Sequence, residues 1–430
     1  MISSAKLNKT SVIIYLNLHD MTKIKMRKIL FVLIIVFFNT TISKAQIKIL
    51  FDASKAEAAG NADWVIDADA NNIGYFNGPA QIGGTESNAQ RIPTPLQATI
   101  TSTSVETTWN GGISAWGIDC VKKGYTVESL PYNGQITYGQ STNVQDLSNY
   151  KVFVVCEPNI LFTASQKTAI LQFVQNGGGL FMIGNHAGSD RNGDGEDARM
   201  IWNDLMLNNS IQVNPFGFTF DSVDINQTST TIAMLSNDTL LYGPFGTVNA
   251  LEFNDGATMT LTPTVNATVK GVIYKNGSST TGNNNAMMVR SRYGLGKVAA
   301  LGDSSPTDDG TGDPNDALYN GYFLGASGNH KKLIMNTTFW LVNNTATGIE
   351  QYSKSTFNVF PNPFNNELTV TLSENKNSVF ELLDLSGKSI KTFDVFGDNS
   401  TMIDLTNVAP GLYLLQNKLN KSDCQKIIKR

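Results

Sequence analysis

Residues 163–186 read TASQKTAILQFVQNGGGLFMIGNH, and this stretch decides the fold class. Thr163 and Gln166 have the spacing of a capping box, which predicts that a helix begins there. Three apolar residues at helical spacing form its predicted buried face: Ala169, Ile170 and Val174. Gly177 is predicted to end the helix, and the apolar run Leu180–Ile183 predicts a buried strand directly after it. A helix leading into such a strand is typical of an α/β protein.

The same alternation of helix and strand patterns extends on both sides of this stretch. Further strands are predicted at Ile47–Phe51, Tyr125–Leu130, Lys151–Cys156 and Gly296–Leu301. Further helices are predicted at Ser114–Lys123 and Lys331–Val342. Short segments rich in Thr and Asn between residues 217 and 289 predict a β insertion or an extension of the sheet. Because strands that are apolar throughout are buried on both faces, residues 46–345 are predicted to form one α/β domain around a parallel sheet.

The pattern changes after a predicted linker at residues 346–356. Four short alternating segments follow: Asn366–Leu372, Ser378–Asp384, Thr401–Leu405 and Gly411–Gln416. Apolar and polar residues alternate with a period of two, and turn residues separate the segments. This pattern predicts a small β-sandwich over residues 357–430.

Residues 1–45 have the three parts of a cleavable signal peptide. The apolar run Ile29–Phe38 is ten residues long, whereas a permanent membrane helix needs about 20. Four basic residues precede it: Lys23, Lys25, Arg27 and Lys28. The small-x-small triplet Ser43-Lys44-Ala45 follows it. Met26 fits as the true start, because the segment is compact without the residues before it.

Removal of this segment makes the chain markedly acidic. Residues 1–45 hold seven of the 32 Lys and Arg and one of the 36 Asp and Glu, which leaves 25 basic and 35 acidic residues, a net charge of −10. The region after Phe357 has eight of each sign, so the excess negative charge lies in the α/β domain. Duplex nucleic acid is therefore disfavoured as a partner, while hard cations are compatible with the charge.

Three cysteines do not form a disulfide framework. Cys120 and Cys156 could pair in an oxidising compartment, but buried free thiols are favoured. Cys424 stands apart in the C-terminal region.

The C-terminal region carries several spaced motifs in a fixed order. They are Val359-Phe360-Pro361-Asn362-Pro363, Leu383-Asp384-Leu385-Ser386-Gly387-Lys388, Pro410-Gly411-Leu412-Tyr413 and Lys426-Ile427-Ile428-Lys429. Together they resemble the type A sorting domain of the type IX secretion system. The resemblance implies a Bacteroidota protein that passes through the periplasm, meets the type IX machinery through residues 357–430, and is secreted or held at the cell surface. A carbohydrate-binding or adhesive sandwich is the alternative, although clustered aromatic residues are missing.

The run from Gln175 through the three glycines to His186 resembles the class I glutamine amidotransferase-like fold, and within it the trehalose-utilisation-like proteins. That family implies a parallel sheet with a cysteine nucleophile on a sharp turn after this strand. Here Gly184-Asn185-His186 occupy that place. Cys156 ends an earlier strand without a flanking glycine elbow. Glutaminase chemistry is therefore not expected.

Polar residues follow four of the predicted strands, where ligands bind in open parallel sheets. Asp52 follows the first strand, Glu157 follows Cys156, Asn185 and His186 follow the Gly-rich strand, and Asp303 follows Gly296–Leu301. We expect His186, Asp303, Glu157 and Asp52 to line one crevice as candidate catalytic residues. The alternative is that strand-end acids cap the turns and helices that follow them.

The segment after His186 resembles the DxNxDG calcium loops of EF-hands and dockerins. Candidate oxygen ligands are Asp190, Asn192, Asp194 and Asp197, with Gly195 at the sixth place. Alternating side chains would point to one Ca²⁺, and glycine allows the turn. The twelfth place holds Ile201 instead of a bidentate acid, so Asp197 or another loop would complete the site. A solvated Asn/Asp/Gly turn is the alternative, and a bound calcium ion could be purely structural.

The scarcity of histidine limits the possible mechanisms. Only His186 and His330 remain after residue 45, which excludes a zinc site with several histidine ligands. No G-x-S-x-G elbow accompanies Ser304 or Ser305. A second acidic loop, from Asp303 through Asp308 and Asp309, is expected either to face His186 across the crevice or to be a flexible polar loop.

These features predict a secreted hydrolase-like enzyme that uses acid–base or metal-assisted chemistry on an extracellular glycan or glycoconjugate. The alternative is a non-catalytic, calcium-stabilised surface protein that binds a small molecule or glycan, because a fold does not imply an activity. No permanent transmembrane helix is predicted.

Overall fold

The structure is a computed structural model that describes residues 46–59, 62–68, 89–312, 319–343, 357–372, 377–384, 387–396, 400–418 and 424–430. The predicted signal peptide at residues 1–45 and the predicted linker at residues 346–356 lie outside the described residues. Among the described residues, no helix has the length and apolar character needed to span a bilayer.

The α/β domain contains fifteen strands in the described residues: β1 Lys48–Asp52, β2 Ala58–Ala59, β3 Ala62–Asp63, β4 Thr126–Leu130, β5 Val152–Cys156, β6 Gly179–Ile183, β7 Phe218–Phe220, β8 Ile225–Ser229, β9 Thr231–Ile232, β10 Gly246–Thr247, β11 Leu251–Gly256, β12 Met259–Leu261, β13 Lys270–Tyr274, β14 Ala286–Tyr293 and β15 Gly296–Leu301. Its described α-helices are α1 Ser114–Lys122, α2 Ala164–Gln175, α3 Ala198–Leu207, α4 Thr239–Tyr242, α5 Gly321–Leu324 and α6 Asn329–Val342. The predicted strands and helices are therefore present, with ends shifted by one or two residues.

Five parallel strands form the centre of the main sheet, in the order β4-β1-β5-β6-β15. Numbered along the chain, this order is 2-1-3-4-5, one of the two common orders of doubly wound α/β proteins. Strand order reverses between β1 and β5. The sheet continues beyond β15 through antiparallel strands, beginning with β14. The region predicted as a β insertion thus forms this antiparallel extension, and the sheet is mixed rather than parallel throughout.

Helices cover both faces of the sheet. On one face α1 and α6 pack over the strands, and Trp116 contacts Phe51 and Phe181 edge-on at centroid distances of 5.1 and 5.3 Å. On the other face α2 and α3 pack over the alternate strand residues, with Trp202 fully buried. Because alternate residues of each strand enter opposite cores, these strands are apolar along their whole length.

The three glycines that follow α2 each have a separate structural reason. Gly177 adopts a φ of +106°, which allows the chain to leave the helix. A Cβ on Gly178 would lie 2.4 Å from the Phe173 ring, and one on Gly179 would lie 2.9 Å from Leu341 in α6. The capping box at Thr163 and Gln166 is also formed, with Thr163 N donating to Gln166 Oε1 at 2.9 Å. Residues 163–186 therefore determine how closely the helices pack on the sheet.

The C-terminal region forms two antiparallel sheets around its own core. Its strands are β16 Phe357–Phe360, β17 Glu367–Leu372, β18 Ser378–Leu383, β19 Ser389–Val395, β20 Thr401–Asp404, β21 Gly411–Asn417 and β22 Cys424–Lys429. The sheet orders are β16-β17-β20 and β19-β18-β21-β22. Phe357 and Phe380 meet edge-on at 4.6 Å inside a buried apolar cluster. The predicted small β-sandwich is confirmed.

Candidate functional site

The crevice between the carboxyl ends of β1 and β5, here named the switch crevice, is closed by the protein itself. Residues 53–59 and 62–68, here named the cover segment, run across it. Asn159, just after β5, donates from Nδ2 to the carbonyl oxygens of Ala56 and Ala58 at 2.7 and 3.1 Å. Asp52 and Glu57 are buried beneath this segment, 2% and 0% exposed. The expected ligand position at the point of strand reversal is therefore filled by protein.

Asp52 and Glu57 form a buried carboxyl pair in the switch crevice. Asp52 Oδ1 accepts from Ser54 N and Oγ, and Glu57 Oε2 accepts from Lys55 N. Within the described residues, Asp52 Oδ2 and Glu57 Oε1 receive no hydrogen bond from another group. Burial raises the pKa of Asp52, and burial together with the adjacent Asp52 charge raises the pKa of Glu57 well above its usual value. The raised pKa values favour a protonated carboxyl in this pair, Glu57 above all.

An open cleft of about 300 Å³ lies one strand further along the same edge, beyond β6 and β15. Ten residues from five parts of the chain line this open cleft: Trp64, Asn185, His186, Arg191, Asn254, Asp255, Ser304, Ser305, Asp308 and Tyr319. Its volume is at the lower end of the range for small-molecule sites. Ile183 of β6 pairs with Leu301 of β15. Because His186 and Ser304 each come three residues after this pair, they meet at the same edge.

Asp303 lies behind the open cleft and fixes one of its walls. Its Oδ2 accepts from Asn254 N at 2.7 Å and its Oδ1 accepts from Ser305 N at 2.8 Å. Asp303 is fully buried, and burial raises its pKa well above the usual value. The register of β11 shifts after Phe253, and Asp255 takes a φ of +70°. This bulge turns Asn254 and Asp255 toward the cleft.

Glu157 connects three segments that line the open cleft. Its Oε2 accepts from Trp64 Nε1 at 2.9 Å and from Ser304 Oγ at 2.5 Å. Its Oε1 accepts from Arg191 Nε at 3.1 Å. The residue is fully buried and has a φ of +51°, a left-handed conformation that costs a non-glycine residue about 1–2 kcal/mol. Strained residues of this kind cluster at functional sites.

His186 is the cleft residue best suited to proton transfer. Its side chain is 22% exposed, and its Nδ1 lies 3.0 Å from the carbonyl oxygen of Ala187 and 3.8 Å from Asp224 Oδ2. Donation to the carbonyl favours the tautomer with the proton on Nδ1. Nε2 then carries a lone pair. Asn185 supports the histidine, because its Oδ1 accepts from His186 N at 2.7 Å while its Nδ2 donates to Ser304 Oγ at 3.3 Å.

Two aspartates of the second acidic loop, Asp308 and Asp309, have different roles. Asp308 lines the open cleft with His186, and its Oδ2 accepts from Tyr319 N at 2.6 Å. Asp309 instead caps α1, because its Oδ2 accepts from Ala115 N at 2.6 Å and from Ser114 Oγ at 3.0 Å. Burial raises the pKa of Asp309 to about 6. Of the three acids expected to face His186, Asp308 therefore lines the cleft, Asp303 lies behind it and Asp309 anchors a helix.

The predicted calcium loop is closed by hydrogen bonds within the chain. Asp190 Oδ1 accepts from Gly193 N and its Oδ2 accepts from Gly195 N, both at 2.8 Å. Asn192 Nδ2 donates to Asn159 O at 2.5 Å, and Asp194 Oδ1 accepts from Glu196 N. Asp197 is the N-cap of α3. The described residues contain no group of three or more His, Cys, Asp or Glu positioned to hold a metal ion. Calcium binding stays a prediction.

The remaining histidine and the two α/β-domain cysteines are structural. His330 Nε2 accepts from Glu252 N at 3.0 Å, and its Nδ1 donates to Gly321 O at 2.9 Å. Burial lowers the pKa of His330 to about 4. Cys120 and Cys156 are buried free thiols, and burial raises the pKa of each well above the usual value. Neither cysteine is suited to act as a nucleophile.

Of the four expected catalytic residues, only His186 lines the open cleft. Glu157 contacts three cleft residues from beneath, Asp303 holds the β11 wall, and Asp52 lies in the switch crevice. Sequence reasoning did not place Trp64, Arg191, Asn254 or Tyr319 at the site. Arg191 lies inside the predicted calcium loop, where it is a positive charge among acidic residues. This isolated positive charge is the one feature of the sequence that indicates a role for Arg191 at the site. The others come from loops whose position depends on tertiary structure.

Residues 358–430 match the family model described as a secretion system C-terminal sorting domain. The predicted resemblance of the C-terminal region is thereby confirmed. The chain carries a type IX sorting domain, which directs it to the secretion machinery and out to the cell surface or the extracellular space.

Several solved structures are distantly similar to the chain. A putative trehalose-utilisation-like (thuA-like) protein of Parabacteroides merdae is 10% identical, covers 71% of this chain and 92% of its own, and gives a TM-score of 0.33. A cytoplasmic protein of Salmonella typhimurium is 15% identical, with 53% and 86% covered and a TM-score of 0.36. An exo-beta-1,4-mannosidase of an Opitutaceae bacterium is 10% identical, with 74% and 39% covered and a TM-score of 0.30. Among curated proteins, none matches this sequence. The α/β class assigned here rests on the strand order and the two helix layers.

Proposed function

We propose that the open cleft is the active site of a secreted hydrolase that acts on an extracellular glycan or glycoconjugate. The observation that carries this proposal is the convergence of His186, Arg191 and Ser304 on one polar cleft at the carboxyl edge of the sheet. Ligands of open α/β sheets bind at this edge. The other expected position, the switch crevice, is filled by the cover segment.

The lining of the open cleft suits a hydroxyl-rich ligand. The rings of Trp64 and Tyr319 provide apolar surface, and amide, hydroxyl and carboxylate groups provide donors and acceptors around them. Polar groups that converge in a small pocket fix the orientation of a ligand. Export through the sorting domain brings this cleft to extracellular polymers.

His186 is the proposed general base. With its proton on Nδ1, its Nε2 accepts a proton from a water molecule that attacks the substrate. Arg191 is held through Nε by Glu157. Within the described residues, no acceptor binds its two terminal nitrogens, so they are free to stabilise the negative charge that develops on the substrate oxygen.

The test is turnover of a panel of aryl glycosides, acylated sugars and polysaccharides by the purified chain. His186→Gln is expected to lower kcat by about 10²–10⁴-fold, because general base catalysis is lost. Asn133→Ala, an exposed substitution outside the cleft, is the matched control. The melting temperature of both variants must stay close to that of the original chain.

Two outcomes contradict the hydrolase proposal. One is equal turnover by His186→Gln and the original chain. The other is the absence of turnover across the panel together with saturable glycan binding in isothermal titration, which would instead support a calcium-stabilised surface binding protein.

A further inference from the structure

We infer that Ser304 is a catalytic nucleophile of the open cleft and that the substrate bond is a carboxylic ester, an acyl group carried by a sugar hydroxyl. This inference rests on the proposed hydrolase function and deepens it. Ser304 lines the cleft although only 1% of its surface is exposed, which places it at the base of the cleft.

The first support is the contact between a hydroxyl and a buried carboxylate. Ser304 Oγ donates to Glu157 Oε2 at 2.5 Å. A nucleophile within hydrogen-bond reach of a base, with the base oriented by further groups, is the general signature of nucleophilic catalysis. Here the orienting groups are Trp64 Nε1 and Arg191 Nε, which hold the carboxylate at 2.9 and 3.1 Å. The strained backbone of Glu157 keeps the carboxylate in this place.

The second support is the set of groups around Ser304. Asn185 Nδ2 donates to Ser304 Oγ at 3.3 Å, which fixes the hydroxyl between a donor and the Glu157 acceptor. His186 follows Asn185 directly and lines the same cleft. Arg191 also lines the cleft and is held through Nε by Glu157. Nucleophile, base and a cation for the oxyanion therefore come from three neighbouring loops.

The third support is that the carboxylates of the cleft do not fit glycosidic bond cleavage. That reaction ordinarily needs two carboxyl groups that face the bond from opposite sides. Only Asp255 and Asp308 contribute carboxylates among the described cleft residues. Asp308 is committed to the backbone, because Oδ1 accepts from Gly310 N and Oδ2 accepts from Tyr319 N. One carboxylate remains, whereas a serine with a base is sufficient for an ester.

The reaction balances with water as the only co-reactant. Ser304 Oγ bonds to the acyl carbon, its proton passes to Glu157, and the carbonyl electron pair moves to an oxygen facing Arg191. The tetrahedral intermediate expels the sugar alkoxide, which takes the proton from Glu157. Water then attacks the acyl-serine while His186 Nε2 takes its proton. That proton returns to Ser304 Oγ as the carboxylic acid leaves.

The experiment treats the full chain with a biotinylated fluorophosphonate and maps the adduct by tandem mass spectrometry. Attack of Oγ on phosphorus releases fluoride and leaves a stable phosphonyl-serine. We expect the adduct on Ser304 in the original chain and in Ser279→Ala, which removes an exposed serine outside the cleft. We expect none in Ser304→Ala. Glu157→Gln is expected to slow labelling by about 100-fold or more, because the base is lost.

Mapping on the original chain keeps the test decisive even if Ser304→Ala does not fold. Absence of an adduct, or an adduct on Ser305 or any other residue, overturns the inference. Labelling of Glu157→Gln at the original rate overturns the role of Glu157. Turnover that depends on His186 but persists in Ser304→Ala overturns the inference while the proposed hydrolase stands. Absence of any turnover in the panel is the separate failure of the proposed function.

Discussion

The switch crevice and the open cleft lie side by side on one edge of the same sheet, yet they differ in every property that matters for binding. The switch crevice holds two carboxyl groups that are buried under protein backbone and have raised pKa values. The open cleft holds a histidine, an arginine and a serine around about 300 Å³ of accessible space. Acidic residues after a strand are therefore a weak guide to a site. Such residues can bind a ligand only where no other segment of the chain covers them.

The two regions are joined by Glu157 and Trp64. Glu157 directly follows β5, a strand that borders the switch crevice, and its carboxylate contacts the open cleft from below. Trp64 belongs to the cover segment and lines the open cleft.

The largest stability effect is expected at Glu157. Glu157→Ala leaves Arg191 and Trp64 without their buried acceptor, and we expect the free energy of unfolding to fall by about 3 kcal/mol. Glu157→Gly should be more stable than Glu157→Ala by about 1 kcal/mol, because glycine relieves the left-handed backbone. Urea denaturation measures the free energy of unfolding of both variants and of the original chain. Equal stability of the two variants would contradict the strain assigned to this position.

An effect of similar size is expected at His330 in acid. Its folded pKa of about 4 is below the unfolded value of 6.5, so the unfolded state binds the extra proton between these values. Stability from the neutral ring is present above pH 6.5 and is lost as the pH falls to 4, by about 3 kcal/mol. His330→Gln keeps an acceptor for Glu252 N and lacks this titration. The difference in the free energy of unfolding between the two chains should shrink over that interval. A constant difference would contradict a neutral His330.

A smaller effect is expected from Asp52→Asn in the switch crevice. The raised pKa values of Asp52 and Glu57 mean that the pair contributes most to stability at low pH and less as the pH rises. The amide introduced at position 52 is neutral and would donate to the Glu57 carboxylate, so we expect a gain of about 1 kcal/mol at pH 8. Asp308→Asn in the open cleft is the matched substitution, with no expected gain. Thermal unfolding at pH 5 and pH 8 distinguishes the two. A loss at pH 8 would contradict the raised pKa values of this buried pair.

The smallest effect is expected from calcium. Extracellular calcium sites often have Kd values near 10⁻⁴–10⁻³ M, so about 1 mM Ca²⁺ should stabilise the chain by about 1 kcal/mol. Asp194→Ala should abolish the rise in melting temperature, while Asp224→Ala outside the loop should retain it. If neither this concentration nor a tenfold higher one raises the melting temperature, residues 190–197 are a hydrogen-bonded turn only.

The sequence was sufficient to predict the sheet, because local signals agree with the tertiary structure. The capping box at Thr163, the glycines from Gly177 and the continuous apolar strands each point to the same α/β arrangement. The antiparallel extension was less clear, since Thr-rich segments carry weak periodicity. The C-terminal sandwich was predicted from its period-two alternation and its motifs.

The candidate site was only partly predictable. His186 and Ser304 follow adjacent strands, so their meeting could be expected from the order of elements. The bulge that turns Asn254 and Asp255 inward depends on a contact with Asp303, which is distant in the chain. Nothing local indicates that the cover segment would bury Asp52 or bring Trp64 to Glu157. Long-range packing, rather than propensity, determines those positions.

The cover segment also determines how this cleft could be reshaped. It belongs to neither the main sheet nor a helix layer, and it supplies one aromatic wall, while the opposite wall comes from the β11 bulge. Both walls are anchored in the apolar core, through Trp64 and Ile66 of the cover segment and Phe253 of β11. Directed evolution of ligand preference would therefore change single residues of the cleft lining rather than exchange whole segments.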